Sequence, residues 1–86
     1  DRTVKLWRLE SGELRRTYRN LPDYVSAITF SSEGGLIAAG TLDGSIRLFS
    51  TSHNRPVRIF NAHKSRITAL AFSQRGDLMA SAAEDG

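Results

Sequence analysis

Residues 43–49 read D-G-S-I-R-L-F, and residues 1–7 read D-R-T-V-K-L-W. Both stretches begin with aspartate, end with an aromatic residue and place branched apolar residues at alternate positions. This alternation predicts a strand with one buried face, and Asp-Gly between two strands is the strongest short hairpin signal. Residues 85–86 (D-G) begin a third copy. The stretches therefore predict a repeated hairpin unit.

The likeness between these stretches extends over the whole chain at a spacing of 42 residues, which we call the repeat period. Identical residues at this spacing include Leu6 and Leu48, Ala27 and Ala69, Phe30 and Phe72, Gly34 and Gly76, Leu36 and Leu78, and Ala38 and Ala80. No insertion interrupts the alignment of the chain with itself. A fixed period of this length is typical of proteins built from stacked structural repeats.

Each repeat contains four short strand signals separated by residues that favour turns. The predicted strands are 3–8, 14–18, 25–31, 36–41, 45–50, 56–60, 67–73 and 78–83. Strands 25–31 and 67–73 are apolar at consecutive positions, which predicts burial on both faces. Strands 14–18 and 56–60 are the most polar, which predicts an outer edge. No stretch has a helical period.

A period of about 40–45 residues, with four strands and an Asp-Gly turn before an aromatic-ended strand, resembles the WD-repeat family. The stretch from Ala62-His63 to 67–73 resembles the element that opens that family's repeat. The resemblance implies an all-β fold, namely a section of a β-propeller built from four-stranded antiparallel blades. Residues 1–18 would then be the outer strands of one blade, 19–60 a complete blade, and 61–86 the inner strands of another.

The resemblance also implies a buried hydrogen-bond tetrad of His, Ser or Thr, Asp and Trp that braces each blade. The positions that correspond to it in this chain are Asp1, Trp7, Thr41, Asp43, Phe49, His63 and Asp85. The pattern is incomplete in every blade, because Phe49 has no N–H, Leu21 stands where His is expected, and Ala83 stands at the hydroxyl position.

Five residues are candidates for contact with a partner. Tyr24, Lys64 and Arg66 precede inner strands, and Leu42 and Glu84 stand in the hairpin turns. The resemblance implies that both regions lie on the face where propellers dock partners. A large aromatic residue beside charges is a common centre of binding energy, and ordinary loop variation is the alternative interpretation.

The composition excludes several classes of protein. The chain has 86 residues, no cysteine, 12 basic and 9 acidic residues, and a net charge of +3. Cysteine-ligated zinc, disulfides and thiolate catalysis are excluded, and the charge excess does not favour nucleic acid. No residues at metal-ligand, triad or P-loop spacing are present, so the prediction is a non-enzyme without cofactor.

The resemblance favours a scaffold for protein–protein interaction, located in the cytoplasm because no secretory signal is found. Its partners would be other proteins and further blades, either from copies of this chain in a homo-oligomeric ring or from a longer parent chain. The alternatives are a propeller that binds phosphoinositides or nucleic acid through Arg15, Arg16, Arg19, Arg55 and Arg58, or a regulatory domain of a larger enzyme.

Overall fold

The computed structural model describes residues 2–19, 21–31, 33–53, 55–74 and 78–84, and all regular structure in them is β-strand. The strands are β1 (Val4–Trp7), β2 (Leu14–Tyr18), β3 (Val25–Phe30), β4 (Leu36–Thr41), β5 (Ser45–Ser50), β6 (Pro56–Asn61), β7 (Ile67–Phe72) and β8 (Met79–Ala83). The prediction of an all-β fold is therefore confirmed. These residues include no helix of the length and apolarity needed to cross a membrane.

The strands form three antiparallel sheets, in the orders β1-β2, β3-β4-β5-β6 and β7-β8. We call the four-stranded one the middle sheet. This arrangement confirms the predicted order of half blade, full blade and half blade in a propeller section. Within the described ranges, β1 and β8 are each paired along one edge only. The unit boundaries expected after residues 18 and 60 stay a prediction.

The backbone repeats at the same spacing as the sequence. Register shifts lie between Leu6 and Trp7, Leu48 and Phe49, Val25 and Ala27, and Ile67 and Ala69. These are two pairs of positions, and the members of each pair are one repeat period apart. Because a bulge bends and twists its strand, equivalent strands bend at equivalent points. The sequence repeat is therefore a repeat of three-dimensional form.

The first junction, between β1-β2 and the middle sheet, is apolar. Its buried cluster consists of Val4, Tyr18, Leu21, Ile37, Ala39 and Phe49, with Leu6 and Val25 packed against it. The Tyr18 and Phe49 rings lie 4.4 Å apart between centroids and are tilted by 36°. The Tyr18 hydroxyl donates to the Ser50 carbonyl oxygen at 2.9 Å, which satisfies the polar atom of a fully buried residue. Large side chains therefore fill this junction.

The second junction, between the middle sheet and β7-β8, depends on close approach. Ile67 is fully buried against Gly40. A Cβ built at Gly40 would lie 2.5 Å from Ile67 Cγ2, so only glycine fits there. Beside it, the Ser26 hydroxyl donates to the Ile67 carbonyl oxygen at 2.6 Å. The backbones of two sheets thus meet near β3 and β7.

The prediction that strands 25–31 and 67–73 are buried on both faces is wrong. Ile28 and Phe30 are 49% and 48% exposed, and Ala69 and Ala71 are also exposed. Successive side chains of a strand point to opposite faces. In the part of the chain that the structure describes, one face of each of these strands packs along another sheet, while most of the other face is left exposed. The apolar pattern identified strand faces that are suited to packing against another sheet, and no described sheet covers them.

Candidate functional site

The turn between β4 and β5 is fixed by a carboxylate that accepts three hydrogen bonds. Asp43 Oδ1 accepts from the Thr41 hydroxyl, from the Ser45 backbone N–H at 3.0 Å, and from the Ser45 hydroxyl at 2.8 Å. Thr41 and Ser45 are buried. The Thr41 bond lowers the pKa of Asp43 most; burial opposes it, while the Ser45 bonds and the Arg47 charge assist. The turn is therefore held in one conformation.

Gly44 seats this turn against the loop that precedes β7. Its φ is +89°, in the region that favours glycine, and its carbonyl oxygen accepts from the His63 N–H at 3.0 Å. A Cβ at this position would lie 2.2 Å from the His63 carbonyl oxygen and 2.8 Å from that of Ser65. The hairpin turn and loop 63–65 are therefore in direct backbone contact.

Four of the candidate contact residues lie in two equivalent loop frames. In the first frame, the Leu42 N–H donates to the Tyr24 carbonyl oxygen at 3.0 Å. In the second frame, the Glu84 N–H donates to the Arg66 carbonyl oxygen at 3.1 Å. The two frames are one repeat period apart, so one backbone arrangement carries two different sets of side chains.

The side chains of the two frames differ in chemistry. Tyr24 is 57% exposed and Leu42 is 38% exposed, which makes the first frame apolar. Arg66 and Glu84 form an ion pair at 3.7 Å, half exposed on both sides, which makes the second frame charged. We call the surface of Tyr24, Leu42, Lys64, Arg66 and Glu84 the interaction face.

The contact at Gly44 joins the two frames into one surface. The first frame ends in the turn that contains Gly44, and loop 63–65, which contacts that turn, carries the exposed Lys64. Arg66 follows immediately and begins the second frame. The structure therefore brings all five candidate residues onto adjoining loops at one end of the sheets. Their role in binding a partner stays a prediction.

Of the tetrad positions that the structure describes, Thr41 and Asp43 are joined by a hydrogen bond. Asp1 and Asp85 lie outside the described residues, and Trp7 is 52% exposed. Phe49 is buried in the first junction, and Leu21 is 3% exposed in the same cluster, at the position where the resemblance implied histidine. An apolar pair thus replaces the polar pair in the complete blade.

His63 contacts a hydroxyl that sequence reasoning missed. Its Nε2 shares a hydrogen bond of 3.0 Å with Ser81 Oγ. The resemblance implied a hydroxyl at position 83, where alanine stands. Because residues two apart in a strand share a face, Ser81 points to the same side of β8 as Ala83. That periodicity was the signal that would have found it.

Two further hydrogen bonds were also missed, those of Ser26 to Ile67 and of Tyr18 to Ser50. Each joins residues of different sheets, and no local pattern in the sequence marks such a pair. In the described part of the chain, no three residues of His, Asp or Glu are grouped to hold a metal ion.

The basic residues of β2 form a separate surface. Leu14, Arg15, Arg16, Thr17 and Arg19 line a hollow of about 310 Å³. A second hollow of about 460 Å³, lined by Arg2, Thr3, Arg19 and Leu21, adjoins it at Arg19. The first hollow lies along β2, and the second lies where β1 begins and β2 ends.

The sequence matches the family described as WD domain, G-beta repeat, over residues 12–50 and 54–86. The chain belongs to the WD-repeat family. This agrees with the 42-residue repeat, the four-stranded antiparallel sheet and the Asp43-Gly44 turn. The family assignment explains the fold and does not by itself give a function.

Several known proteins are similar to this WD-repeat chain. One is the anaphase-promoting complex subunit cdc20 of Dictyostelium discoideum, 30% identical over 83% of this chain and 15% of its own length. The target of rapamycin complex subunit wat1 of Schizosaccharomyces pombe is 31% identical over 100% of this chain and 28% of its own length. The small ribosomal subunit protein RACK1 of Neurospora crassa is 34% identical over 85% of this chain and 23% of its own length. The chain spans less than a third of the length of each of these relatives.

Proposed function

We propose that this WD-repeat chain is part of a non-catalytic platform that binds other proteins through the interaction face. The observation that carries the proposal is the repeated loop frame, in which one hydrogen-bonded backbone presents an apolar pair and then a charged pair. A rigid backbone with different exposed side chains is what selective binding needs, since little ordering is required when a partner docks.

The chemistry of the interaction face indicates the kind of partner. Tyr24 and Leu42 offer an exposed aromatic and an aliphatic side chain at the first frame. The exposed Arg66–Glu84 pair contributes little to folding, so its charges can turn to a partner at low cost. The partner is therefore a protein segment with an apolar anchor beside charged groups.

The names of the relatives support a role in assemblies. The cdc20 protein is named as a subunit of the anaphase-promoting complex, and wat1 as a subunit of the target of rapamycin complex. RACK1 is named as a small ribosomal subunit protein. A platform within a larger assembly is consistent with these names.

The platform includes further blades. Ile28 and Phe30 on one side, and Ala69 and Ala71 on the other, are exposed on strand faces that a neighbouring blade would cover. We propose that these blades come from copies of this chain or from a longer parent chain.

A phosphate-bearing ligand is the second candidate, and the arginine-lined hollow on β2 is the observation that favours it. Arginine is suited to phosphate because its planar fork donates two parallel hydrogen bonds. Binding of phosphoinositide vesicles or single-stranded RNA at this hollow would weaken steeply with added salt, and Arg15→Ala would reduce it.

A displayed library of random peptides tests the interaction face directly. Peptides selected on the wild-type chain would bind Tyr24→Ala at least about tenfold more weakly, since loss of a central aromatic contact typically costs about 2 kcal/mol or more. Leu9→Ala is the matched control, because Leu9 is 96% exposed on a different loop. Equal losses for the two variants, or peptides that bind only the β2 arginines, would disprove the proposal.

A further inference from the structure

An apolar hollow of about 640 Å³ lies beside β8. The residues that line it include Ile46 and Leu48 of β5, Phe60 of β6, Phe72 of β7 and Met79 of β8. Ile46 and Phe60 belong to the cluster of the second junction, but one side of that cluster is open here. The hollow is large enough for an aromatic side chain with a short length of strand.

The equivalent place in the first junction is filled. Val4, Leu6 and Tyr18 stand one repeat period before Ile46, Leu48 and Phe60, and they pack around Phe49. Phe49 is held there because β5 pairs with β4, where it stands opposite Ile37. The equivalent of Ile37 is Met79, in a strand with one unpaired edge among the described residues. The hollow therefore has the shape that a further strand ending in an aromatic residue, paired with β8, would fill.

We propose that a second copy of this chain supplies that strand, with its Val4–Trp7 paired to β8 and its Trp7 in the hollow. Trp7 stands one repeat period before Phe49 and is 52% exposed within its own chain. Val4 and Leu6 already pack into their own first junction, on the opposite face of β1. The second copy therefore docks without opening its own core. This inference rests on the proposal that the platform includes further blades.

The remaining surfaces of the two copies are complementary in size. Inside the chain, Leu70 and Phe72 lie in the cluster with the small residues Ala27 and Ala38. Between copies, the equivalent large residues are Ile28 and Phe30 of the second copy. The equivalent small residues of the first copy are Ala69 and Ala80, which are exposed. Large side chains again meet small ones, as close packing requires.

The methyl group of Ala82 makes the contact between copies weaker than the equivalent contact of Gly40 with Ile67 inside the chain. Gly40 admits Ile67, because a Cβ there would lie 2.5 Å from Ile67 Cγ2 and 2.7 Å from its Cβ. The equivalent residues between copies are Ala82 and the Val25 of the second copy. Valine keeps the branched atoms that approach Gly40, so the Ala82 methyl must push the two copies apart. Ala82 therefore limits the affinity of one copy for the other.

The single tryptophan of the chain reports the contact directly. As the wild-type concentration rises, the mass by light scattering should increase above 9.5 kDa and the tryptophan emission should move to shorter wavelength. Ala82→Gly should lower the midpoint concentration of both changes about tenfold, since overpacking of this size typically costs 1–3 kcal/mol. Trp7→Ala should abolish the increase in mass.

Two controls separate the possible outcomes. Ala80→Gly removes the same methyl at the equivalent of Ala38, which is accommodated in the second junction, so it should not strengthen association. Tyr24→Ala alters the interaction face and should associate as the wild type does, so failure of one proposal leaves the other intact. A mass of 9.5 kDa at every concentration would show that a second copy does not supply the missing strand. That result, a rising mass with unchanged emission, or equal effects of the two glycine variants would overturn the inference.

Discussion

The two junctions of the molecule use the same backbone repeat but are stabilised in different ways. The first is filled by large side chains, with the Tyr18 and Phe49 rings 4.4 Å apart and Leu21 beside them. The second depends on glycines at Gly40 and Gly44, where sheet and loop approach each other too closely for a Cβ. The difference shows that the repeat determines the register of strand pairing, while individual side chains determine how neighbouring sheets pack together.

This comparison predicts which changes each junction tolerates. Removal of atoms leaves a cavity in the first junction, whereas addition of atoms creates a clash in the second. The polar bonds also differ, since the first junction satisfies a tyrosine hydroxyl and the second joins His63 to Ser81. Each contrast can be tested by substitution.

The largest expected effect is at Gly44. Gly44→Ala should lower the free energy of unfolding by at least about 3 kcal/mol, because φ is +89° and the new Cβ would lie 2.2 Å from a backbone oxygen that cannot move freely. Urea unfolding followed by circular dichroism measures the change. Gly34→Ala is the matched control, with φ of +74° but nothing within 4 Å, and should cost only about 1 kcal/mol. Similar losses would show that backbone strain alone, and not the contact with loop 63–65, determines the effect.

The second prediction concerns the carboxylate that fixes the same turn. Asp43→Ala should cost about 1–3 kcal/mol, because the Thr41 and Ser45 donors lose their shared acceptor. Thermal or urea unfolding at neutral pH measures it. Asp43→Asn retains one acceptor oxygen without the charge and should cost less. An Asp43→Ala curve that coincides with the wild type would show that the turn does not depend on this network.

The acid dependence of stability sharpens the same test. The pKa of Asp43 is lowered from 3.8, chiefly by the Thr41 bond, so its ionised form is favoured in the folded state. The contribution to stability is present above pH 3.8 and is lost as the pH falls through the lower, folded-state pKa. Asp43→Asn should therefore lose less stability on acidification than the wild type does. Parallel curves of unfolding free energy against pH would contradict this.

The fold could be predicted from the sequence because it depends on a short pattern that recurs along the chain. The 42-residue spacing, the alternation in residues 43–49 and the Asp-Gly turn predicted the repeated strands and the hairpin, and the resemblance to the WD-repeat family implied the four-stranded antiparallel sheets. The burial of β3 on both faces was wrongly predicted. An apolar strand pattern shows that both faces are suited to packing, but it does not show that the described residues include a sheet to cover each face. Ile28 and Phe30 are exposed for this reason.

The candidate site could be predicted only in part. Position in the repeat placed Tyr24, Leu42, Lys64, Arg66 and Glu84 on one face, because loops at equivalent points of a repeat lie at the same end of the sheets. The contact of His63 with Ser81 could have been found from the two-residue period of β8. The contact of Ser26 with Ile67 depends instead on how two sheets are placed relative to each other. That placement is a property of packing between distant residues, and no short pattern encodes it.

The third prediction concerns the tyrosine of the first junction. Tyr18→Phe should cost about 1 kcal/mol, because it removes the 2.9 Å bond to Ser50 while the ring contact with Phe49 remains. Burial raises the pKa of Tyr18 above 10.0, against the opposing charges of Arg16 and Arg15, so wild-type stability falls as the pH rises above 10.0. Tyr18→Phe should lack this contribution to the alkaline loss. Tyr24→Phe, at an exposed position, should leave the free energy of unfolding unchanged at neutral pH.

The smallest expected effect is at the polar pair of the second junction. Ser81→Ala alone should cost about 1 kcal/mol, since a half-buried ring nitrogen of His63 loses its hydroxyl partner at 3.0 Å. His63→Leu with Ser81→Ala installs the residues found one repeat period earlier, Leu21 and Ala39, which are buried together in the first junction. Because both polar partners are replaced at once, the double variant should be within about 0.5 kcal/mol of the wild type and more stable than Ser81→Ala. A double-mutant cycle in urea measures the coupling. Strictly additive losses would show that the pair contributes nothing as a pair, and that the two junctions differ in shape alone.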